Sequence, residues 1–394
     1  MTKLYEHQQK ILSDLKNGRR YVVAAPRTGK TRPVIEFLRD CENVLVLTKK
    51  AAIPGWLSEL DAMGVSGWTV LNYEKVRTKG WDMLKQWGAL VCDEAHTLAT
   101  YPKPNTMTKP IYQLAVSGPR IGISATPSPE TYSQLFHQAK ALKLPIWAEF
   151  STFYKWHKVY GVPDLIRANG RMLETYKNVP QRAWDEFKVF CCILDRKRAV
   201  ADFVEAEDQL IRIEAPAVLE LCEKLKRDMI IEIGGRVVVA ETPLALAQKC
   251  QQICSGVVLD ENGEPVRVNL VKHKFITNKF AGQKTAILTQ YRAEVDMYGG
   301  TEDQEAFRSG GAKWFVGNVQ KYARGVDLAV ADALVFTGCP WSAEAFIQGR
   351  ERLLRRDRES KAPVYFPVIA GGIDEQIYHR VAVEKRDFNA RIFK

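Results

Sequence analysis

The stretch Tyr21–Thr31 constrains this chain more than any other. An apolar run, Tyr21–Ala25, gives way to Pro26-Arg27-Thr28-Gly29-Lys30-Thr31, and an apolar, helix-like segment follows over Pro33–Leu38. A buried strand, a tight loop ending Gly-Lys-Thr and a helix make one βα unit, which commits the N-terminal part to a parallel α/β sheet. Such a loop offers its backbone N–H groups to phosphate oxygens, with Arg27, Thr28, Gly29, Lys30 and Thr31 around them. Lys30 would reach the outer phosphates, and the Thr31 hydroxyl would hold Mg2+. Ala24 stands where the general pattern has its first glycine, and Gly-Lys-Thr alone also occurs as an ordinary surface turn.

More runs of the same kind follow. Val44–Thr48, Thr69–Tyr73, Ala89–Cys92 and Ile121–Ser124 read as buried strands, with helix-like segments between them. A second set comes late, at Lys284–Gln290, Ala312–Gly317, Ala333–Phe336 and Val364–Ile369. Residues 130–275 read as largely helical and rich in Trp, Phe and Lys. The expectation is two parallel-sheet α/β lobes, 1–200 and 201–394, each with helical additions; no Pro/Gly/Ser-rich linker marks the boundary.

Ligands of such sheets sit beyond the carboxyl ends of the strands. Asp93 and Glu94 end one strand, where a carboxylate can hold Mg2+ through its waters and its neighbour can activate a water. A lone Asp-Glu pair at a strand end is more often a helix cap. Here it stands downstream of a phosphate loop and upstream of Ser124-Ala125-Thr126, which closes another strand. Three strand ends with matching chemistry point to one rim.

Charge narrows the partner. Lys and Arg number 57 against 46 Asp and Glu, a net +11, which favours a polyanion. Eight cysteines form no paired C-x-x-C, which reads as a reducing, cytoplasmic setting without a zinc site; Cys250 and Cys254 read as core. No apolar run approaches the ~20 residues that cross a bilayer, and no hydrophobic stretch follows Met1-Thr2-Lys3.

Taken together, Gly29-Lys30-Thr31, Asp93-Glu94-Ala95-His96 and Ser124-Ala125-Thr126 resemble motifs I, II and III of superfamily-two helicases and translocases, the second in its DEAH-box form. Leu4-Tyr-Glu-His-Gln8 resembles the upstream glutamine motif, Ala323-Arg324-Gly325-Val326-Asp327 motif V, and Gln348, Arg352 and Arg355 motif VI. The nearer likeness is to the Swi/Snf branch. Trp56 and Glu59 after the second strand, Asn72-Tyr73-Glu74, Lys249–Gly256, Trp341 and Gly372–Tyr378 all fall where that branch has its landmarks. Arg27, the Ser-Ala-Thr form of motif III, Arg358 and a short gap before motif V depart from it. The length leaves no room for an accessory chromatin-reading domain, so the chain is similar to a minimal bacterial or viral form, in a bacterial or phage-infected cytoplasm.

The resemblance implies two RecA-like lobes around ATP and Mg2+. Gln8 would read adenine, Gly325, Asp327 and Gln348 would line the nucleotide site, and Arg352 and Arg355 would be arginine fingers. Gln348, Arg352 and Arg355 lie at i, i+4 and i+7, so one helical face would carry all of them. His96, Ser124 and Thr126 would couple hydrolysis to motion. Phosphate contacts would come from Lys49, Lys50, Asn72 and Tyr73 in the first lobe and Gln290, Tyr291, Gln320 and Lys321 in the second. Trp56, Trp147 and Trp341 read as packing anchors. The implied activity is ATP-driven movement along duplex DNA. A strand-separating helicase on DNA or RNA, and an ATP-gated clamp with little turnover, are the alternatives.

Overall fold

The computed structural model describes residues 4–25, 28–78, 85–168, 171–194, 206–322, 326, 328–354 and 362–385 of the 394-residue chain. The chain divides into two compact units, Met1–Ala201 together with Phe388–Lys394, and Asp202–Asp387.

The first unit is built on a parallel six-stranded sheet. Its strands are β1 (Tyr21–Ala24), β2 (Val44–Thr48), β3 (Thr69–Asn72), β4 (Ala89–Asp93), β5 (Arg120–Ser124) and, further on, Cys191–Leu194, in the order β3-β2-β4-β5-β1 with Cys191–Leu194 at the edge beyond β1. Every residue of β1, β2, β4 and β5 is buried, as expected of a parallel sheet covered on both faces. Alternate side chains enter opposite cores. Val22, Ala24, Val44, Val46 and Val91 face α1 (Glu6–Lys16), α2 (Thr31–Phe37) and α3 (Ile53–Ala62), while Tyr21, Val23, Leu45, Leu47, Leu90 and Cys92 face the later helices. Pairing Val23 with Ser124, Asp93 with Ile123 and Leu47 with Cys92 brings the carboxyl ends of β1, β2, β4 and β5 to one rim.

At the opposite edge, Arg120 is buried at the start of β5. Its Nη1 donates to the carbonyls of Ile111 (2.9 Å) and Ala141 (2.8 Å), and its Nη2 to that of Leu114 (2.6 Å). These carbonyls belong to the last turns of the helices Thr108–Gln113 and Leu135–Ala141, so one cation satisfies both ends. Beyond them lies an aromatic extension in which Trp147 and Trp156 pack at 5.0 Å and Phe136 and Trp156 at 5.4 Å.

Completing the strand labels, the hairpin β6 (Asp164–Ala168) and β7 (Arg171–Thr175) precedes Cys191–Leu194, which is β8. The second unit opens on β9 (Ala206–Ile213). It adds the hairpins β10 (Ile230–Ile233) with β11 (Arg236–Val239) and β12 (Val257–Leu259) with β13 (Pro265–Arg267). Strands β14 (Thr285–Thr289), β15 (Trp314–Asn318), β16 (Ala333–Phe336) and β17 (Ala362–Ile369) complete its parallel sheet, in the order β15-β14-β16-β17-β9.

Two parallel-sheet α/β lobes are therefore present, as the sequence leads one to expect. The expected helical middle is corrected: residues 130–275 contain three hairpins and the edge strands β8 and β9. β9 escapes a reading based on apolar runs because it is an edge, with Glu207, Gln209 and Arg212 interspersed among its apolar residues. The remaining strand bounds match expectation, as for Val44–Thr48 and Ala333–Phe336, or differ by one or two residues, as strand ends do. Among the described residues no helix is long and apolar enough to cross a membrane.

The second unit keeps charge in its interior. Lys272 and Asp374 pair at 2.5 Å with both side chains buried, and Lys272 Nζ also donates to the Thr337 carbonyl at 2.9 Å. Asp374 in turn accepts the Ile369 and Glu375 N–H groups, each at 3.1 Å. Nearby, buried Glu294 accepts the Thr337 hydroxyl and, at 2.8 Å, the Tyr291 N–H. Burial pushes the Glu294 carboxyl up from 4.5 to about 7, against the opposing pull of the Thr337 and Tyr291 hydrogen bonds and the Lys272 charge.

A carboxyl raised on folding stabilises the folded state below its unfolded pKa and loses that contribution as pH rises through the folded value. We therefore expect a stability contribution from Glu294 that is full below pH 4.5 and gone above about 7. Unfolding curves from pH 4 to 8 should show this slope in the wild type and its loss in Glu294→Gln.

Candidate functional site

The loop between β1 and α2 is held from the side by α1. Gly29 has φ +68, a conformation suited to glycine, and a Cβ there would lie 2.5 Å from Gln8 Nε2. Gln8 Nε2 donates to the Gly29 carbonyl at 3.0 Å, and His7 Nε2 to that of Thr28 at 2.9 Å. Thr28 is buried and its hydroxyl donates to the Ala25 carbonyl (2.7 Å); Lys30 Nζ reaches the Ala24 carbonyl (3.4 Å). Thr31 is the first residue of α2. Arg27 lies outside the described residues.

Asp93 ends β4 on the same rim, and its carboxylate is buried but well supplied with donors. Oδ2 accepts the Thr48 hydroxyl at 2.7 Å and the Trp56 indole N–H at 2.9 Å, and Oδ1 accepts the Glu94 N–H at 3.0 Å. Burial, then the charge of Glu94, pushes its pKa up; Lys30, Trp56 and Thr48 pull it back down. Glu94 adopts a left-handed conformation, φ 50 and ψ 50, rare for a residue with a side chain. The Tyr73 hydroxyl, donating to the Asp93 carbonyl at 2.7 Å, pins the peptide that leads into it.

Glu94, His96, Ser124, Thr126 and Lys49 form one network. His96 Nδ1 lies 2.9 Å from Ser124 Oγ and 3.3 Å from Glu94 Oε2, and the Thr126 N–H donates to Ser124 Oγ at 3.0 Å. Lys49 Nζ lies 3.3 Å from His96 Nε2. An ammonium can only donate, so Nε2 is the acceptor and the ring hydrogen sits on Nδ1, facing Glu94 and Ser124. Ser124 is fully buried, so the coupling residues expected from the sequence do stand together.

The expected nucleic-acid contacts are more mixed. Lys50 is exposed; Lys49 and Asn72 are half-buried. Tyr73 is corrected: only 1% exposed, it lies beneath Asp93 rather than on a surface. Its hydroxyl is needed inside, where the Asp93 carbonyl would otherwise lack this donor. In the second unit, Gln290 follows β14 and Tyr291 donates its hydroxyl to Gln251 Oε1 (2.7 Å). Gln320 is exposed, and Lys321 is exposed and paired with Glu302 at 3.0 Å.

Trp341 is also corrected. It is 38% exposed, with its indole N–H on Gln251 Oε1 at 2.7 Å, so it is fixed at the surface rather than packed as an anchor. Trp56 and Trp147 are buried.

Among the described residues, the continuous helix expected to carry Gln348 and Arg352 on one face ends before Arg352. The helix Ala343–Arg350 stops after Gln348, which is buried, and tightens to a 3-10 turn over Glu351–Leu353. Leu354 is extended, which lets the consecutive Leu353 and Leu354 both enter the core. The Arg352 carbonyl accepts the Leu328 N–H (3.3 Å), so a helix does not claim it. Arg352 Nη1 points to the Val326 carbonyl at 3.5 Å. Arg355, Gly325 and Asp327 lie outside the described residues.

Sequence reasoning missed the support around Asp93. Thr48 ends β2 and Trp56 sits on α3, and a tryptophan among the apolar residues of a helix signals burial, not a hydrogen bond to a carboxylate. It also missed Arg350, which clamps Asp208 of β9 at 2.7 Å, and Gln251, shared by Tyr291 and Trp341.

The solved SWI2/SNF2 ATPase core of Sulfolobus solfataricus, in complex with double-stranded DNA, matches this chain at 16% identity and a TM-score of 0.43, over 100% of this chain and 93% of that one. No family model matches the chain. No curated protein matches it either.

Trp56→Phe keeps most of the ring but withdraws one donor from a buried carboxylate. The expected loss is about 1.5–3 kcal/mol of stability in the first unit, read by chemical unfolding near neutral pH.

Proposed function

We propose that the chain is a nucleic-acid-stimulated ATPase that moves along duplex DNA. One observation carries this reading: the Gly29-Lys30-Thr31 loop and the Asp93-Glu94 pair share one rim, with Lys30 close enough for its charge to lower the Asp93 pKa. The residues suit a magnesium nucleotide. Gly29 has no Cβ, an atom that would lie 2.5 Å from Gln8, so the loop can pack closely against α1, and Lys30 supplies the next residue's cation. Asp93 and Thr31 offer the oxygen donors that magnesium prefers. When bound, the ion would screen phosphate charge.

In this reading Lys30 and the loop N–H groups orient the phosphates. Asp93 is kept in place by Thr48 and Trp56, and Glu94 orients and deprotonates the attacking water. Gln8, already bonded to the loop at Gly29, would read adenine with its remaining donor and acceptor capacity. Arg352 and Arg355 are proposed as arginine fingers, and Gln348, Gly325 and Asp327 as nucleotide-binding residues. Lys49, Lys50, Asn72, Gln290, Tyr291, Gln320 and Lys321 are proposed to follow the phosphate backbone, which the net charge of +11 favours.

The deciding experiment is steady-state ATP hydrolysis with no nucleic acid, duplex DNA, single-stranded DNA and RNA. We expect strongest stimulation by duplex DNA, loss of turnover in Lys30→Ala, and a fall of about 10²–10⁴-fold in Glu94→Gln. Stimulation by single strands alone would move the chain to a strand-separating helicase. Binding without turnover on any of them would leave an ATP-gated clamp.

A further inference from the structure

Lys49 joins two parts of the first unit that have different tasks. It follows β2 directly and precedes exposed Lys50, on the segment that leads into α3. Its ammonium is turned inward, onto His96 Nε2 at 3.3 Å, and the other nitrogen of that ring lies 3.3 Å from Glu94 Oε2 and 2.9 Å from Ser124 Oγ. A single imidazole thus separates a half-buried cation at the edge from the carboxylate proposed to activate water.

The direction of the hydrogen bonds gives this contact a consequence. While Lys49 donates to Nε2, that nitrogen cannot carry a hydrogen, and the ring is held with Nδ1–H toward Glu94 and Ser124. A phosphate oxygen is a better partner for an ammonium than a neutral imidazole, because it adds the attraction of an opposite charge to the hydrogen bond. A backbone phosphate seated at the Lys49–Lys50 edge therefore competes with His96 for Lys49. Once the ammonium turns outward, the ring loses the contact that fixes its tautomer and orientation, and with it the hold on Glu94.

We propose that Lys49 is a positioning residue that couples nucleic-acid occupancy to Glu94 through His96, restraining the carboxylate until a phosphate draws Lys49 away. The proposal rests on the nucleic-acid-stimulated ATPase reading above and adds the residue through which stimulation enters. Lys50, one residue on and exposed, has no such contact with His96 in the structure and serves as the internal control.

The test compares the full chain with Lys49→Met and Lys50→Met, titrating duplex DNA in the ATPase assay and measuring affinity separately by fluorescence anisotropy. For Lys50→Met the expected result is weaker binding, a salt slope reduced by about one, and a full maximal rate once DNA saturates. Lys49→Met should instead show a raised rate without DNA and a maximal stimulation that stays depressed at saturation. In the wild type without nucleotide, the imidazole nitrogen resonances of His96 should move when duplex DNA is added, and should not move in Lys49→Met. This second measurement does not depend on turnover.

If Lys49→Met regains the full maximal rate at higher DNA concentration, with its DNA-free rate unchanged, Lys49 is a phosphate contact only and the proposal is overturned. His96 resonances unmoved by saturating DNA in the wild type would overturn it too, even where Lys49→Met is unstable. A wild-type rate that no nucleic acid alters is a different result, because it removes the functional reading on which the proposal stands.

Discussion

The first unit is organised around holding a carboxylate that is largely withdrawn from water. A buried charge is tolerated only when hydrogen bonds replace its hydration. Asp93 receives its donors from the end of β2 through Thr48, from α3 through Trp56 and from its own chain through the Glu94 N–H. Because the donors sit on separate elements, the carboxylate also fastens those elements together. α3 is held again by the Arg32–Glu59 pair at 2.6 Å, which ties it to α2. The helix that follows the basic Lys49-Lys50 edge is thus bonded both to the end of β4 and to the helix that follows the Gly-Lys-Thr loop. Tyr73 adds a constraint of another kind, gripping the backbone just before the left-handed Glu94.

The second unit has its own buried charges. Lys272 and Asp374 neutralise each other, and Thr337 links them to Glu294, which in turn holds the N–H of Tyr291. Tyr291 and Trp341 then share Gln251, on the helix Pro243–Ser255. Two aromatic rings past the ends of β14 and β16 are therefore set by polar groups rather than by packing alone. Aromatic side chains fixed in this way keep little freedom of their own.

How much of this was legible in the sequence depended on which physical signal each element leaves. Strands buried on both faces leave continuous apolar runs, and β1, β2, β4, β5, β14 and β16 were readable for that reason. Edge strands and hairpins leave mixed patterns, so β9 and the three hairpins were hidden in a middle that read as helix. The Gly29, Asp93, Glu94 and Ser124 positions were legible because strand order carries them to one rim. Trp56 was legible as a buried residue but its bond to Asp93 was not, and Tyr73 was misjudged, because residue type does not report the target of a polar tip. The arginine spacing after Gln348 suggested a continuous helix, yet spacing cannot show that Leu353 and Leu354 both need the core.

β9 has a consequence for how the second unit is made. It is the first strand of that unit to leave the ribosome, and its partner in the sheet is β17, the last, with Ala206 opposite Ala362 and Ile213 opposite Ile369. Its hydrogen-bonding edge must wait, unpaired, while the intervening chain is synthesised, and such long-range closure is slow. An apolar strand left open for that interval would invite pairing with other nascent chains. The Glu207, Asp208, Gln209 and Arg212 that disguise β9 as a non-strand are the residues that keep it soluble during the wait, and Asp208 is finally neutralised by Arg350 once that part of the chain arrives.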